Sequence, residues 1–471
     1  MAEPRNILFL TNSELGQCNV AFSIAEEFLR RGEYGVHVGS YSQLAGNVDE
    51  LNKRVESSHP ATFHEIYGPC MTDLAIRSDV GLLCHPSGMS GAVKGFNKIS
   101  TAMSSWKHTE YAKTYRSILA MFEKLRPAVV IVDPLLHVGL DACKTANIKP
   151  AILWPVPIKD VVQLEQGSKI IWHYPVVGSG YPYPLPFKLI LANLYLVFRV
   201  AVTFASGKTP PEDPSSEKDI EKRNPFPLGN AFTKDTVQLT PSFPEMDFPC
   251  QSFDNVVCCG PILRKREPLT TSDPKMEAWL TKPTILISLG SHMKPTEEIA
   301  VQMAKAIKIV LEKHPDKQVL WKLRYEWEES KEFQEILGPA VAEGQVWITP
   351  WIQADIMSVL ETGRIAAYVH HGGANSYFEA CKAGCPQVIL PQWLDTYDCA
   401  TRVEYLGLGA HGSRTSAPGA EATEFSEAID RVLEDERIRA KVATIKDLCN
   451  TSEGRIVAHD RIVELARENT P

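Results

Sequence analysis

The 471-residue sequence has no surplus of basic charge: 49 Lys and Arg stand against 57 Asp and Glu, a net charge of −8. Bulk attraction to nucleic acid or to an anionic bilayer needs the opposite sign, so neither is expected to hold the whole protein, and only a local basic patch stays open. The 11 cysteines include no C-x-x-C pair. Scattered thiols in odd number fit a reducing compartment better than a disulfide framework. Cys381 and Cys385 fall near His370 and His371, but C-x₃-C on one helix is not a metal-site spacing, and no metal is expected. The loop after the first apolar run has only Gly16 and lacks G-x-G-x-x-G, which excludes a dinucleotide-dependent dehydrogenase there. That run, Ile7 to Leu10, is too short for the core of a secretory signal, and a cytoplasmic protein is expected.

What is present is a 44% hydrophobic chain, enough for two or three domains with real cores. Apolar β-branched runs at 7–10, 36–38, 127–133 and 151–156 alternate with amphipathic helical stretches, and the rhythm repeats at 284–290, 318–323, 346–349, 365–371 and 387–391. Strands that alternate with helices mean βαβ units and parallel sheets. The predicted fold class is α/β: two doubly wound Rossmann-like domains facing a cleft. A Pro-, Lys- and Glu-rich stretch near 207–228 and a polar linker at 264–274 place the domains at 1–262 and 263–450, with 451–471 as a C-terminal helix packing back on the first. Ligands of such folds bind at the carboxyl ends of the strands, which makes the cleft the expected active site.

One segment breaks the rhythm. Residues 186–204 are nearly long enough to span a bilayer, but Lys188, Asn193 and Arg199 interrupt them, and no span is expected. The alternatives are a hydrophobic helix lining an acceptor pocket and an interfacial helix in weak, peripheral membrane contact.

The densest chemical signal is VHHGGANSYFEACKAGCP, residues 369–386, where a buried strand gives way to a helix. Gly372 and Gly373 allow close backbone approach, and a helix N-terminus favours an anion such as a phosphate. His371 and Ser376 are placed to donate to it, and Glu379, one helical turn on, to accept from sugar hydroxyls. Ser376 and Glu379 also read as a plain S-x-x-E capping box.

With the flanking HHGGANSYFEACKAGCPQVILPQWLD, the segment resembles the donor signature of UDP-dependent glycosyltransferases of the two-Rossmann-domain (GT-B) type, the UDP-glucosyl and glucuronosyl transferases, and is most similar to fungal secondary-metabolite members. The resemblance implies that His371 and Ser376 reach the diphosphate, Glu379 the ribose and Asp395 the sugar, with Asn375 part of the motif. TPWIQADI implies Trp351 as the platform for uracil; the usual Trp-x-Pro-Gln is altered, leaving Gln353 for the base edge. TILISLGS sets Gly290 and Ser291 beside the diphosphate. Thr396, after Asp395, stands where relatives often carry Gln and use UDP-glucose. No cofactor is implied, since the UDP-sugar, UDP-glucose being the best match, is a co-substrate. The partner is a lipophilic small-molecule acceptor, with no nucleic acid.

Family members typically use a His in the first loop, oriented by an Asp, as the base of an inverting transfer. Asp133 supplies the Asp, but the ungapped match puts Gln17 at the His position. The proton then goes to a self-ionising acceptor, to Asp133 or Glu14, or to His137 or His85. An epimerase of the same fold and a binding protein without catalysis remain as other classes.

Overall fold

The computed structural model describes residues 5–79, 83–205, 231–290 and 293–469. The Pro-, Lys- and Glu-rich stretch at 207–228 and Ser291 lie outside the described residues. Two parallel sheets carry the fold. In the first, β1 (Asn6–Leu10), β2 (Gly35–Ser40), β3 (Thr62–Glu65), β4 (Val129–Val132), β5 (Ala151–Leu153), β6 (Gln238–Thr240) and β7 (Val256–Cys258) run in the order β3-β2-β1-β4-β5-β6-β7. In the second, β8 (Thr284–Ser288), β9 (Gln318–Lys322), β10 (Val346–Thr349), β11 (Ile365–His370), β12 (Gln387–Ile389) and β13 (Gly409–His411) run β10-β9-β8-β11-β12-β13. β4 and β8 are buried along their whole length, because helices cover both faces of a parallel sheet.

The strand order reverses between β1 and β4 and again between β8 and β11. At such a switch point the two following loops diverge and open a crevice at the carboxyl ends. Residues 11–14 and Asp133 follow the first pair; Gly290 and His371 follow the second. The fold therefore gathers the expected site residues by topology.

The strands β3, β6, β7 and β13 are absent from the sequence reading. Each is three or four residues long, too short to show a period. The run at 151–156 ends as a strand at Leu153, since Pro155 and Pro157 cannot donate to a ladder. Ile262 still packs in the first core and Leu263 already against the second. The helix Gly454–Glu468 returns to the first domain, burying Ala458, Ile462 and Ala466 in the core with Phe28 and Ile24.

The helix Ile190–Ala205 packs on the helix Gly88–Met103. Asn193, one of the residues that interrupts the apolar run, is fully buried: its amide donates to the carbonyls of Ile170, Ile171 and Tyr174 and accepts from Val176 N at 2.8 Å. The polar side chain is thus part of the domain's packing.

The two domains are joined by buried charge. Lys159, without solvent exposure, binds Asp398 at 2.6 Å and Asp160 at 3.1 Å. Arg402 binds Asp247 at 2.7 Å and Asp160 at 3.2 Å. Lys159, Asp160 and Asp247 come from the first domain, and Asp398 and Arg402 from the second. Burial pushes the Asp398 and Asp247 carboxyls up, whereas Asp160, which touches both cations, is held below the usual range despite its burial. Removing one partner of such a group leaves uncompensated charge in a dry site. Asp398→Ala should destabilise the protein by about 3–5 kcal/mol, while Lys159→Met with Asp398→Leu recovers most of that loss, as denaturant unfolding of the single and double variants will show.

Candidate active site

His370, the last residue of β11, is fully buried, with Nε2 3.0 Å from Gln387 Oε1 and Nδ1 accepting from Gly372 N at 3.1 Å. Burial and the neighbouring His371 push its pKa down to about 3, so it is a neutral ring that fixes the turn. That turn presents His371. A Cβ at Gly290 would lie 2.8 Å from the His371 ring and one at Gly373 would lie 2.7 Å from it. The imidazole sits between two backbones that only glycine lets come so near. Its ring centre is 5.3 Å from that of Trp393.

The helix Ala374–Ala383 starts at Gly373, which supplies no side-chain cap. Its first-turn amides are left for a ligand, and the helix dipole adds to their pull on an anion. Ser376 is already inside the helix, so the S-x-x-E capping box read from the sequence does not form. Its Oγ accepts from the Tyr368 hydroxyl at 3.1 Å. Asn375 and Ser376 stand half-buried in the first turn and Glu379 half-buried one turn on. Burial and the Asp355 carboxylate push Glu379 up to about 8, so at neutral pH its carboxyl is mostly protonated and can donate as well as accept a hydrogen bond. Asp355, which accepts from Arg266 at 2.7 Å and caps the helix Ile356–Leu360, is one of the groups sequence reasoning missed.

At the far end of this cleft wall, Ile352 and Ala354 are buried while Trp351, Gln353 and Asp355 are exposed. The alternation turns Trp351, 44% exposed, and Gln353 to the same side. Lys322 was also missed. It ends β9, paired with Ser288 on one side and Thr349 on the other, and its Nζ lies 4.7 Å from the centre of the Trp351 ring. Burial and Arg324 lower its pKa to about 8. The signal was available in VLWKL, a lone cation closing an apolar strand.

Asp395 opens the helix Leu394–Leu406 and faces the solvent of the cleft. Enclosure by the cleft walls, then the Asp160 carboxylate, push its pKa up to about 7. Thr396 departs from expectation. It is fully buried, and its hydroxyl accepts from Gln392 N at 2.9 Å and Trp393 N at 3.0 Å. Those bonds hold the turn before the helix, so Thr396 has no reach toward a sugar.

On the first domain, Asp133 is buried and accepts from Leu135 N at 2.9 Å, Asn12 N at 3.2 Å and Asn12 Nδ2 at 3.0 Å. Burial pushes it up to about 6 against those bonds. The side chain hydrogen-bonded to it is Asn12, a residue the sequence reading did not single out. Gln17 lies one helical turn further along, in the helix Leu15–Arg31, with Oε1 buried and without a partner among the described residues. Glu14 Oε1 accepts from Thr72 N at 2.9 Å and Thr72 Oγ1 at 3.1 Å.

His85 is not free to swing. Its Nε2 accepts from Leu394 N at 2.9 Å and its Nδ1 lies 2.8 Å from the Pro86 carbonyl, so both nitrogens are engaged and Nε2 braces the domain contact. His137 is buried, stacked on Tyr111 at 5.7 Å. It lines a narrow, mostly apolar cavity with Tyr41, Met71, Leu74, Met103 and Trp106, reached by Asn12. No residue of the helix Ile190–Ala205 lines it. Among the described residues no three His, Cys, Asp or Glu side chains group as a metal site.

Two doubly wound sheets with an anion-binding turn on one and a buried carboxylate on the other define the class of two-domain enzymes that handle nucleotide-linked sugars. The sequence model of UDP-glucoronosyl and UDP-glucosyl transferases matches residues 112–451, and the chain belongs to that family. It is 34% identical to the glycosyltransferase sdnJ of Sordaria araneosa over 97% of this chain and 96% of that one. It is 28% identical to the 2-hydroxyacylsphingosine 1-beta-galactosyltransferase of Mus musculus over 46% of this chain and 37% of the other. Among solved structures, a UDP-glucosyltransferase from Polygonum tinctorium that glucosylates indoxyl aligns with a TM-score of 0.66 at 14% identity, over 99% of this chain and 100% of that one. A transferase from Siraitia grosvenorii in complex with UDP aligns at 0.61 and 15% identity, over 98% and 99%. The fold is GT-B and the protein is a glycosyltransferase.

Stacking on an aromatic face contributes about 1–3 kcal/mol per base. Trp351→Ala should therefore weaken UDP binding by about one to two decades, whereas Asp395→Ala, which removes sugar contacts, should abolish transfer and leave UDP affinity within about tenfold. Titration calorimetry with UDP alone separates the two.

Proposed function

We propose that the protein transfers a hexose from a UDP-sugar, UDP-glucose being the best-matched donor, to a hydrophobic small molecule through a hydroxyl, phenol or carboxylate. The transfer proceeds with inversion and without a metal. The reading is carried by one juxtaposition: the His371 turn and helix N-terminus follow one switch point, and Asp133, beside the apolar cavity, follows the other. UDP rests with uracil on Trp351, ribose on Glu379 and diphosphate against the backbone at Gly290, the first-turn amides, His371 and Ser376. These donors meet charge as it develops on the departing diphosphate, the task a metal ion performs elsewhere. Asp395 holds the sugar hydroxyls.

The acceptor enters the cavity of Tyr41, Leu74, Trp106 and His137 with its reacting oxygen toward Asn12 and Asp133. Asn12 cannot take a proton, so the nucleophile arises from Asp133 as base or from an acceptor that ionises by itself. The hydrophobic acceptors named for the relatives, indoxyl and 2-hydroxyacylsphingosine, agree with an apolar pocket. The likeness to a fungal glycosyltransferase over nearly the whole chain accords with a secondary-metabolite enzyme.

Incubation with UDP-sugars and a panel of lipophilic alcohols, phenols and acids, read by product mass, tests the reading. Conversion of a UDP-sugar without acceptor would make the protein an epimerase, and tight UDP binding with no conversion would make it a binding protein. If Asp133 is the base, turnover of alcohols should fall on the acid side with a midpoint near pH 6, because its carboxyl is pushed up to about 6 and only the ionised form accepts a proton. A limb that tracks the acceptor's own pKa instead assigns the proton to the acceptor. Asp133→Asn should then reduce transfer to alcohols more than to acids, and Asn12→His, which sets an imidazole against Asp133, should raise transfer to simple alcohols.

A further inference from the structure

The helix Ile190–Ala205 and the turn before it leave a continuous apolar stripe uncovered. Phe187 is 90% exposed, Leu191 79% and Phe198 63%, and Leu194 and Tyr195 complete the row. The spacing of three, four and seven puts them on one helical face. Trp172, 52% exposed, stands on the short helix Lys169–Trp172, which packs on the same helix. The window Phe187–Phe204 has a mean hydropathy of 1.7 and is long and apolar enough to cross a membrane. Its opposite face, however, is committed to the domain through Leu196, fully buried, and through the four hydrogen bonds of Asn193.

The charge around the stripe reverses that of the protein. In a chain of net −8, residues 167–205 contain no Asp or Glu and carry Lys169, Lys188 and Arg199. The helix Gly88–Met103, packed against it, also lacks carboxylates and carries Lys94 and Lys98. Lys94, Lys169 and Lys188 are exposed. An apolar row with an amphipathic Trp and Tyr, edged by cations and cleared of anions, matches the headgroup boundary of an anionic leaflet.

We propose that this face docks the protein reversibly on an anionic lipid surface, lying in the interface without spanning it. Phe187, Leu191 and Phe198 enter the acyl boundary while Lys169 and Lys188 stay with the lipid phosphates. The helix Gly88–Met103 runs from this surface to the acceptor cavity, which Met103 lines. A lipophilic acceptor dissolved in the leaflet thus has a short path to the cavity. That delivery rests on the acceptor reading above; the docking does not.

Co-sedimentation of the whole protein with vesicles, without donor or acceptor, tests it. The protein should pellet with phosphatidylcholine–phosphatidylglycerol vesicles, less with phosphatidylcholine alone, and less again as salt is raised. Phe187→Ser with Leu191→Ser and Phe198→Ser should lower partitioning at least about tenfold with unchanged circular dichroism and UDP binding. Lys169→Glu with Lys188→Glu should remove the preference for the anionic lipid. Absence of pelleting with either vesicle overturns the proposal, as does a dimer that the triple variant returns to monomer while lipid binding is nil. Retention in the membrane pellet after carbonate extraction overturns the interfacial geometry in favour of a span.

Discussion

The buried group formed by Lys159, Arg402, Asp160, Asp247 and Asp398 fixes how the two sheets face each other. Charges withdrawn from water are tolerated only in tight mutual geometry, and a small displacement exposes each to a large desolvation penalty. A hydrophobic contact between the domains would slide; this one has a single register. Asp247 also accepts from Lys159 N at 2.7 Å and Phe248 N at 2.8 Å, which ties the backbone of the first domain into the same arrangement. Arg402, over the Phe248 ring at 5.0 Å, adds a cation–π contact.

The cleft inherits its electrostatics from this group. Asp398 is one helical turn beyond Asp395, and Asp160 bears on both, so the sugar-facing carboxyl lies beside surplus negative charge. On the other side of the cleft, the first-turn amides of the helix Ala374–Ala383 have no side-chain cap, and Lys322 lies over the Trp351 ring. In the proposed binding mode, the helix N-terminus faces the diphosphate and the carboxylates lie toward the sugar, which would orient a UDP-sugar along the cleft. His85, hydrogen-bonded to Leu394 N across the domain boundary, holds the turn that carries Asp395 in register with the first sheet.

The acceptor side is built by a different rule. Asp133 lies behind Asn12, which lines the apolar cavity, and burial pushes its pKa up to about 6. Asn12 both donates to the carboxylate and lines the cavity, which couples the polar floor of the pocket to its occupant. The proposed lipid docking at the neighbouring helix pair would bring the entrance of that cavity near the phase in which an apolar molecule concentrates.

The α/β class, the two sheets and the nucleotide motif were legible in the sequence because fully buried parallel strands leave long β-branched runs and because the His-Gly-Gly turn and its helix are contiguous. The three- and four-residue strands β3, β6, β7 and β13 were not, since a strand of that length is stabilised by its neighbour's ladder and not by its own pattern. The alternatives at each motif were settled only by packing. Ser376 entered the helix instead of capping it, and Thr396 turned inward to hold its own turn. Asn12 met Asp133 through two hydrogen bonds, a pairing of residues 121 positions apart that the linear order does not show. The interdomain ion group left no trace in the linear order: Lys159 and Asp398 are far apart along the chain, and only the folding of both domains gives each charge its partner.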